Sequence, residues 1–428
     1  MNSILFFSLL MLVGIEIYLF NHDYMNPSII MTGTYLISAF VLMLNSGIWG
    51  NISLATFSYI TGANIIMVSI CYVLRPRFSA VRKSSGCIIT ATQTGIIILF
   101  NLIAGILFYK EVCRIAYQMG ASSEISSIMS NYRRAMLFSE MNDISVHFNK
   151  IVMQMMKVST GFAYVSLYKI IELTHAGYRF KDIKNYYFII VSFLCIAWEQ
   201  TSRLVYLQFI LAGIVMVGVF SQSINLKIFY RNNKRVVNRI LIICIVFIIL
   251  FFVSRNVLGR NVTTRLWDYV SVYASGSIVA FNQYLKSSSP ELSSSNIYQK
   301  ETFGAIYRLL YKLGIISYAE STSLDFVYIA DSGKTNVYTA MRRWINDYGL
   351  IGMIVLQSVF AFFFSALYRV TREKRLPVVT IIFSFLFIAV ATHFFDDMLY
   401  KNYCSMSFLI QVACFYLCYF FMERVKVY

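Results

Sequence analysis

Six arginines fall in one polar stretch, residues 255–352: Arg255, Arg260 and Arg265 near its start, Arg308 in its middle, and Arg342 and Arg343 near its end. A guanidinium offers a planar fork of donors that matches two phosphate oxygens at once, so arginines gathered on one surface can hold a diphosphate. Arg203 is a further candidate. It follows Glu199-Gln-Thr-Ser and leads straight into apolar sequence, which sets it at a membrane edge, where a charge must pair or line a polar cavity. For any one arginine the competing use is contact with lipid headgroups. Arg203, Arg260, Arg265, Arg342 and Arg343 are the candidate diphosphate ligands.

Proton transfer has fewer candidates. His393 precedes an acid pair in Thr392-His-Phe-Phe-Asp-Asp397, and Asp347 lies just after the arginine pair. A histidine beside a carboxylate can act as a general base near neutral pH, although a lone histidine at a helix end also serves packing. His393, Asp347 and Asp396 are therefore the candidate catalytic residues. Trp267 and Trp344 sit within the arginine-bearing stretch. Their indole faces can stack on a sugar ring or belong to the aromatic belt of a membrane interface. Lys157 lies well inside an apolar run, where a charge costs roughly 2.5–3.5 kcal/mol. It should bind an anion or pair with an acid such as Glu16.

Several chemistries have no residues to carry them. The chain has no P-loop, no Gly-x-Ser-x-Gly and no His-Glu-x-x-His. Its eight cysteines form no CxxC pair, most lie inside apolar runs, and no Cys/His cluster has metal spacing. No cofactor or metal is expected, and turnover should need no divalent ion.

The elements that must position these residues are set by composition. Hydrophobic residues make up 58% of 428 residues and charged residues 13%, which excludes an ordinary soluble domain. About 20 apolar residues cross a bilayer as a helix, and the long Ile/Leu/Phe/Val runs lack the alternation of barrel strands. The expected fold is all-α, a polytopic transmembrane bundle. Apolar segments at 4–20, 27–44, 51–74, 87–109, 151–171, 186–202, 204–220, 239–254, 348–367, 378–395 and 404–422 make eleven spans, with a range of ten to twelve. The first lacks the flanks of a cleaved signal and reads as a retained span.

Charge sets the orientation. Five short loops and the C-terminal tail on one side hold about 18 Lys/Arg against 5 Asp/Glu, the positive-inside pattern. That side is expected to be cytoplasmic, so the formal charge of +17 calls for no nucleic acid. Two loops on the opposite side are long, 110–150 and 255–347, within one membrane domain spanning 1–428. The first should form a helical cover on the second. Within the second, Phe303, Ile306, Leu310 and Leu313 have the spacing of an amphipathic helix lying on the membrane surface.

In residues, the chain resembles the Wzy-type oligosaccharide repeat-unit polymerases of O-antigen and capsule synthesis. The similarity rests on Tyr273-Ala-Ser-Gly-Ser-Ile-Val-Ala-Phe281, Phe303-Gly-Ala-Ile-Tyr-Arg308 and Thr335-Asn-Val-Tyr-Thr-Ala-Met-Arg-Arg-Trp-Ile-Asn-Asp-Tyr-Gly349. Arg265 to Gly276 also has the Arg-x10-Gly spacing of some members, whereas Arg203 to Gly213 is one residue short. The resemblance implies a bacterial inner-membrane enzyme with its site facing the periplasm. It would transfer a growing glycan from undecaprenyl diphosphate to the end sugar of a new lipid-linked unit, releasing undecaprenyl diphosphate. It implies lipid-linked glycans and membrane lipid as partners, with a chain-length regulator and a flippase beside it. An O-antigen ligase and a lipid-linked oligosaccharide flippase remain the alternative readings.

Overall fold

The computed structural model describes residues 1–77, 88–138, 148–220, 266–287, 301–317, 324–329 and 333–425. Helices begin where a capping side chain meets the start of an apolar run. Asn26 accepts the Ser28 amide ahead of Pro27 and starts α2 (Pro27–Leu44), which follows α1 (Asn2–Leu19). A single turn, α3 (Ser46–Trp49), leads to Ser53, which caps α4 (Leu54–Val73) through the Thr56 amide. Thr90 and Gln93 form a reciprocal capping box at the head of α5 (Ala91–Gln118). After α6 (Ile125–Phe138), Asn149 caps α7 (Lys150–His175). Then come α8 (Phe180–Glu199), α9 (Arg203–Phe220) and α10 (Leu266–Ser287).

The remaining elements are α11 (Gly304–Lys312), an antiparallel pairing of β1 (Val327–Tyr328) with β2 (Lys334–Thr335), α12 (Met341–Lys374), α13 (Pro377–Leu386), α14 (Ile388–Ala391), a π-helical turn (Leu399–Tyr403) and α15 (Met406–Arg424). Among the described residues, seven helices, α1, α2, α4, α5, α9, α12 and α15, are long and apolar enough to cross a membrane. Three more, α7, α8 and the α13–α14 pair, fall on expected spans but are more polar or shorter. The expected span 239–254 lies outside the described residues.

Packing divides the bundle into joined cores. One gathers α1, α2, α4 and α10 around α12 and the 383–400 region, with Leu5, Tyr35, Ile60, Phe281, Trp344 and Phe360 buried. Another packs α7, α8, α9 and α15 around Tyr164, Phe193, Phe209 and Phe415. A smaller one joins α5 to α6 and the start of α7 through Phe108, Val112, Tyr132 and Met156.

Four local expectations change. The helix of the fourth span runs on to Gln118 rather than stopping near 109, because Val112, Ile115 and Ala116 continue its buried stripe. Among the described residues, the helical part of the 110–150 loop, α6, has its main packing partner in that extension of α5 rather than in the second long loop. The amphipathic helix expected over 301–316 is shorter, α11, whose exposed apolar side carries Ile306 and Leu309, with Leu313 exposed at its C-cap, while Tyr307 faces inward. Lys157 does not meet Glu16, whose Oε1 instead accepts hydrogen bonds from Ser28 Oγ at 2.7 Å and Thr32 Oγ1 at 2.8 Å. Among the described residues the fully buried lysine is Lys169, which pairs within α7 with Glu172 at 2.9 Å and ties that helix to α15 through Glu423 at 2.5 Å.

Candidate functional site

The described candidate residues lie toward one end of the bundle, where the turns around 45–53 and 200–203 meet α10, the head of α12 and the 392–403 segment. Trp267 Nε1 donates to Asn45 Oδ1 at 3.2 Å, Arg203 Nη1 to the Tyr269 hydroxyl at 3.0 Å, and the Ala340 amide to the His393 carbonyl at 3.1 Å. Gln208 on α9 reaches the Tyr403 hydroxyl at 3.0 Å. The opposite end holds Arg77, Arg369, Arg372 and Glu373.

Gly349 makes the arginine-bearing segment possible. Its φ of 65° and ψ of −164° break α12 into a short helix, 341–348, and a long one from 350 onward. That backbone region is essentially restricted to glycine. The break lets 341–348 leave the line of the long helix and lie against residues 301–303 and 393–400. Gly276 on α10 permits a close approach of another kind. A Cβ there would stand 2.7 Å from Ile329 Cδ1, so the tip of that side chain, just past β1, would have to shift to admit one.

Arg342 lies between two aromatic faces, its guanidinium carbon 4.9 Å from the Tyr284 ring centre and 5.5 Å from that of Tyr338. Such stacking holds a cation and fixes its plane. Nη1 of Arg342 is ion-paired with Glu301, and Nη1 of Arg343 lies 3.7 Å from the same carboxylate oxygen. Arg343 Nε lies 3.4 Å from Asp396 Oδ1, and Lys401 Nζ 2.6 Å from Asp396 Oδ2. Three cations and two carboxylates thus share one patch. Burial pushes the Asp396 carboxyl up, but the charges of Lys401 and Arg343 outweigh it and hold the group below the usual carboxylate range.

Asp397, next in the chain, behaves oppositely. Only 1% exposed, it accepts the Trp344 indole N–H at 2.7 Å and the Tyr400 amide at 3.0 Å. Burial pushes its carboxyl up to about 7, the two donors only partly offsetting that.

The sequence candidates therefore fall into distinct surroundings. Arg342, Arg343 and Asp396 come together in the charged patch. Asp347 is 4% exposed and serves as an anchor, accepting the Thr302 amide at 2.7 Å and the Thr302 hydroxyl at 2.6 Å. His393 is wholly buried. Its Nδ1 lies 3.0 Å from the Tyr35 hydroxyl and its Nε2 2.9 Å from Gln357 Oε1, so both ring nitrogens are engaged between helices. That arrangement suits a positioning residue, not a base facing an acceptor hydroxyl. Trp344 is likewise 0% exposed and leaves no ring face for a sugar, whereas Trp267 is 49% exposed. Arg203 sits with Tyr269 on an aromatic run that continues to Tyr273 and Phe395, the residue before Asp396. Arg260 and Arg265 lie outside the described residues. Among the described residues, no group of three or more His, Cys, Asp or Glu is disposed to hold a metal ion.

Sequence reasoning does not single out Glu301, Lys401, Tyr284 or Tyr338. Lys401 carries one signal, a base between two expected spans, and Glu301 another, an acid at the head of the expected amphipathic stretch, but nothing in the sequence pairs them with Arg342 and Asp396. No family model, no curated protein and no solved structure matches this chain.

Proposed function

We propose that the protein is a membrane glycosyltransferase that polymerises undecaprenyl-diphosphate-linked oligosaccharide units at the periplasmic face of the bacterial inner membrane. The observation that carries the reading is the Arg342–Arg343 pair, oriented by Tyr284, Tyr338 and Asp396 at the head of a long apolar helix. A polyprenyl tail running along that helix in the bilayer would bring its diphosphate to this depth. Two guanidiniums there can take up the charge that develops on a departing diphosphate. In this reading Asp396, one-fifth exposed and ionised, receives the proton of the acceptor hydroxyl. The exposed Trp267 and the Tyr273 face offer stacking surfaces for the glycan. His393 and Asp347 hold the frame.

The test is the glycan made by cells lacking the protein. Surface lipid carrying single capped repeat units supports polymerisation. Units retained on the cytoplasmic side would identify a flippase, and long chains left on the carrier a ligase, and either result overturns the proposal.

A further inference from the structure

We infer that Glu301 is an internal anion occupying a two-arginine site shaped for a diphosphate, and that the ligand enters by displacing it. The inference rests on the proposed function for the identity of the ligand, and on the geometry for everything else.

Glu301 is the carboxylate that both Arg342 and Arg343 share, and a single oxygen, Oε2, makes both approaches. A carboxylate carries one charge, and this one meets both guanidiniums through one atom. A diphosphate spreads more charge over several oxygens and can meet each fork separately. Arg342 already has a donor for such a ligand: its Nε–H is buried and has no acceptor among the described residues. Buried donors without partners are uncommon and costly, so an unfilled N–H beside a shared carboxylate marks a site whose present occupant fits it incompletely.

The backbone at 301–303 is secured without the Glu301 side chain. Thr302 is fixed by its amide and hydroxyl to Asp347, and Phe303 packs edge-on against Tyr400 with ring centres 5.4 Å apart. Glu301 can therefore turn aside while the segment stays docked, and with its side chain 16% exposed it has an open direction to turn into. Asp396 stays with Lys401, so the emptied site keeps three cations against one carboxylate. A tethered competitor lowers the apparent affinity of every anion that must displace it by the same factor, so the preference for diphosphate comes from its meeting both guanidinium forks at once, and Glu301 keeps weakly held monoanions from filling the site.

The experiment measures binding of inorganic pyrophosphate by calorimetry to the full chain in lipid nanodiscs, for wild type, Glu301→Gln, Glu301→Asp and Glu111→Gln. Glu111 pairs with Arg114 on α5, away from the site, and controls for loss of one negative charge. Removing the competing contact should tighten pyrophosphate binding on the order of tenfold in Glu301→Gln. The shorter aspartate, which keeps the charge but cannot bridge both guanidiniums, should give an intermediate gain. Glu111→Gln should match wild type. Unchanged or weaker binding in Glu301→Gln overturns the inference, as does an equal gain in Glu111→Gln. Should Glu301→Gln fail to fold, Glu301→Asp decides by the same comparison. Arg342→Ala, assayed for polymer in cells, separates the two readings. Tighter binding in Glu301→Gln with normal polymer from Arg342→Ala removes the polymerase assignment and leaves the displaced carboxylate standing. Unchanged binding with polymer lost in Arg342→Ala removes only the role of Glu301.

Discussion

Asp397 offers a pH signature that Asp396, its neighbour, cannot mimic. The carboxyl is pushed from 3.8 to about 7 in the folded protein, so between those values the folded state holds a proton that the unfolded chain has released. Stability therefore falls as pH rises through this window. At about 1.4 kcal/mol per pH unit over roughly three units, the loss is on the order of 4 kcal/mol between pH 4 and pH 7. Asp396 works in the other direction and at lower pH. Its carboxyl is held below the usual value, so its contribution is present above about pH 4 and is lost only as pH falls further. Asp397→Asn keeps an oxygen for the Trp344 indole and removes the titration. Equilibrium unfolding in mixed micelles at steps from pH 4 to pH 8 should show wild type losing stability relative to the variant by that amount. Parallel curves for the two proteins across the window would refute the assignment of a proton to the buried carboxyl.

Other expectations follow from the same contacts. Gly349→Ala forces a side chain into a backbone region that costs about 1–3 kcal/mol, so it should unfold earlier and lose polymer, whereas Gly14→Ala, with open space around it, should match wild type in a thermal melt. Asp347→Ala leaves the buried Thr302 amide without its acceptor, at a cost of about 1–3 kcal/mol, and limited proteolysis should then cut within 301–317 sooner than in wild type. Arg342→Lys and Arg343→Lys keep the charge but lose the fork. Polymer yield at matched expression should fall about ten- to hundredfold, while Arg308→Lys on α11 should be near normal. A cysteine placed at Ser288 in a Cys-free background should react with an impermeant reagent from outside the inner membrane, and labelling from the cytoplasm alone would invert the orientation.

The bundle is legible in the sequence because its signal is redundant. Each long apolar run carries its own evidence, and the caps at Asn26, Ser53, Thr90, Asn149 and Ser405 stand where those runs begin. The overrun of α5 is hidden for a physical reason. Lys110, Glu111 and Arg114 read as the start of a loop, yet Glu111 and Arg114 form an i,i+3 pair on the exposed side while Val112, Ile115 and Ala116 carry the buried stripe onward. Hydropathy averages over a turn and erases that distinction. Lys169 is hidden similarly: it sits near the end of a span, where a lysine usually reaches water, but Glu172 and Glu423 meet it inside.

The site divides along a different line, between depth and direction. Position along the chain fixes how deep a residue lies, and by that measure His393, Trp344, Arg342, Arg343 and Asp396 are equivalent candidates. Direction around the helix separates them. In the short helix 341–348, Met341, Trp344 and Ile345 stand at i, i+3 and i+4 and are all buried in the apolar core, a pattern the sequence contains. That face assigns Trp344 to the core and leaves Arg342 free to turn toward Tyr284 and Tyr338. Glu301 has no such pattern to reveal it. It lies 41 residues from Arg342, and their meeting depends on a segment folded back by Thr302 and Phe303 rather than on any periodicity. The charges that define an anion site in this chain are thus assembled by two anchors, Asp347 and Tyr400, whose own roles are structural. A substitution at either anchor should disturb anion binding without touching an arginine.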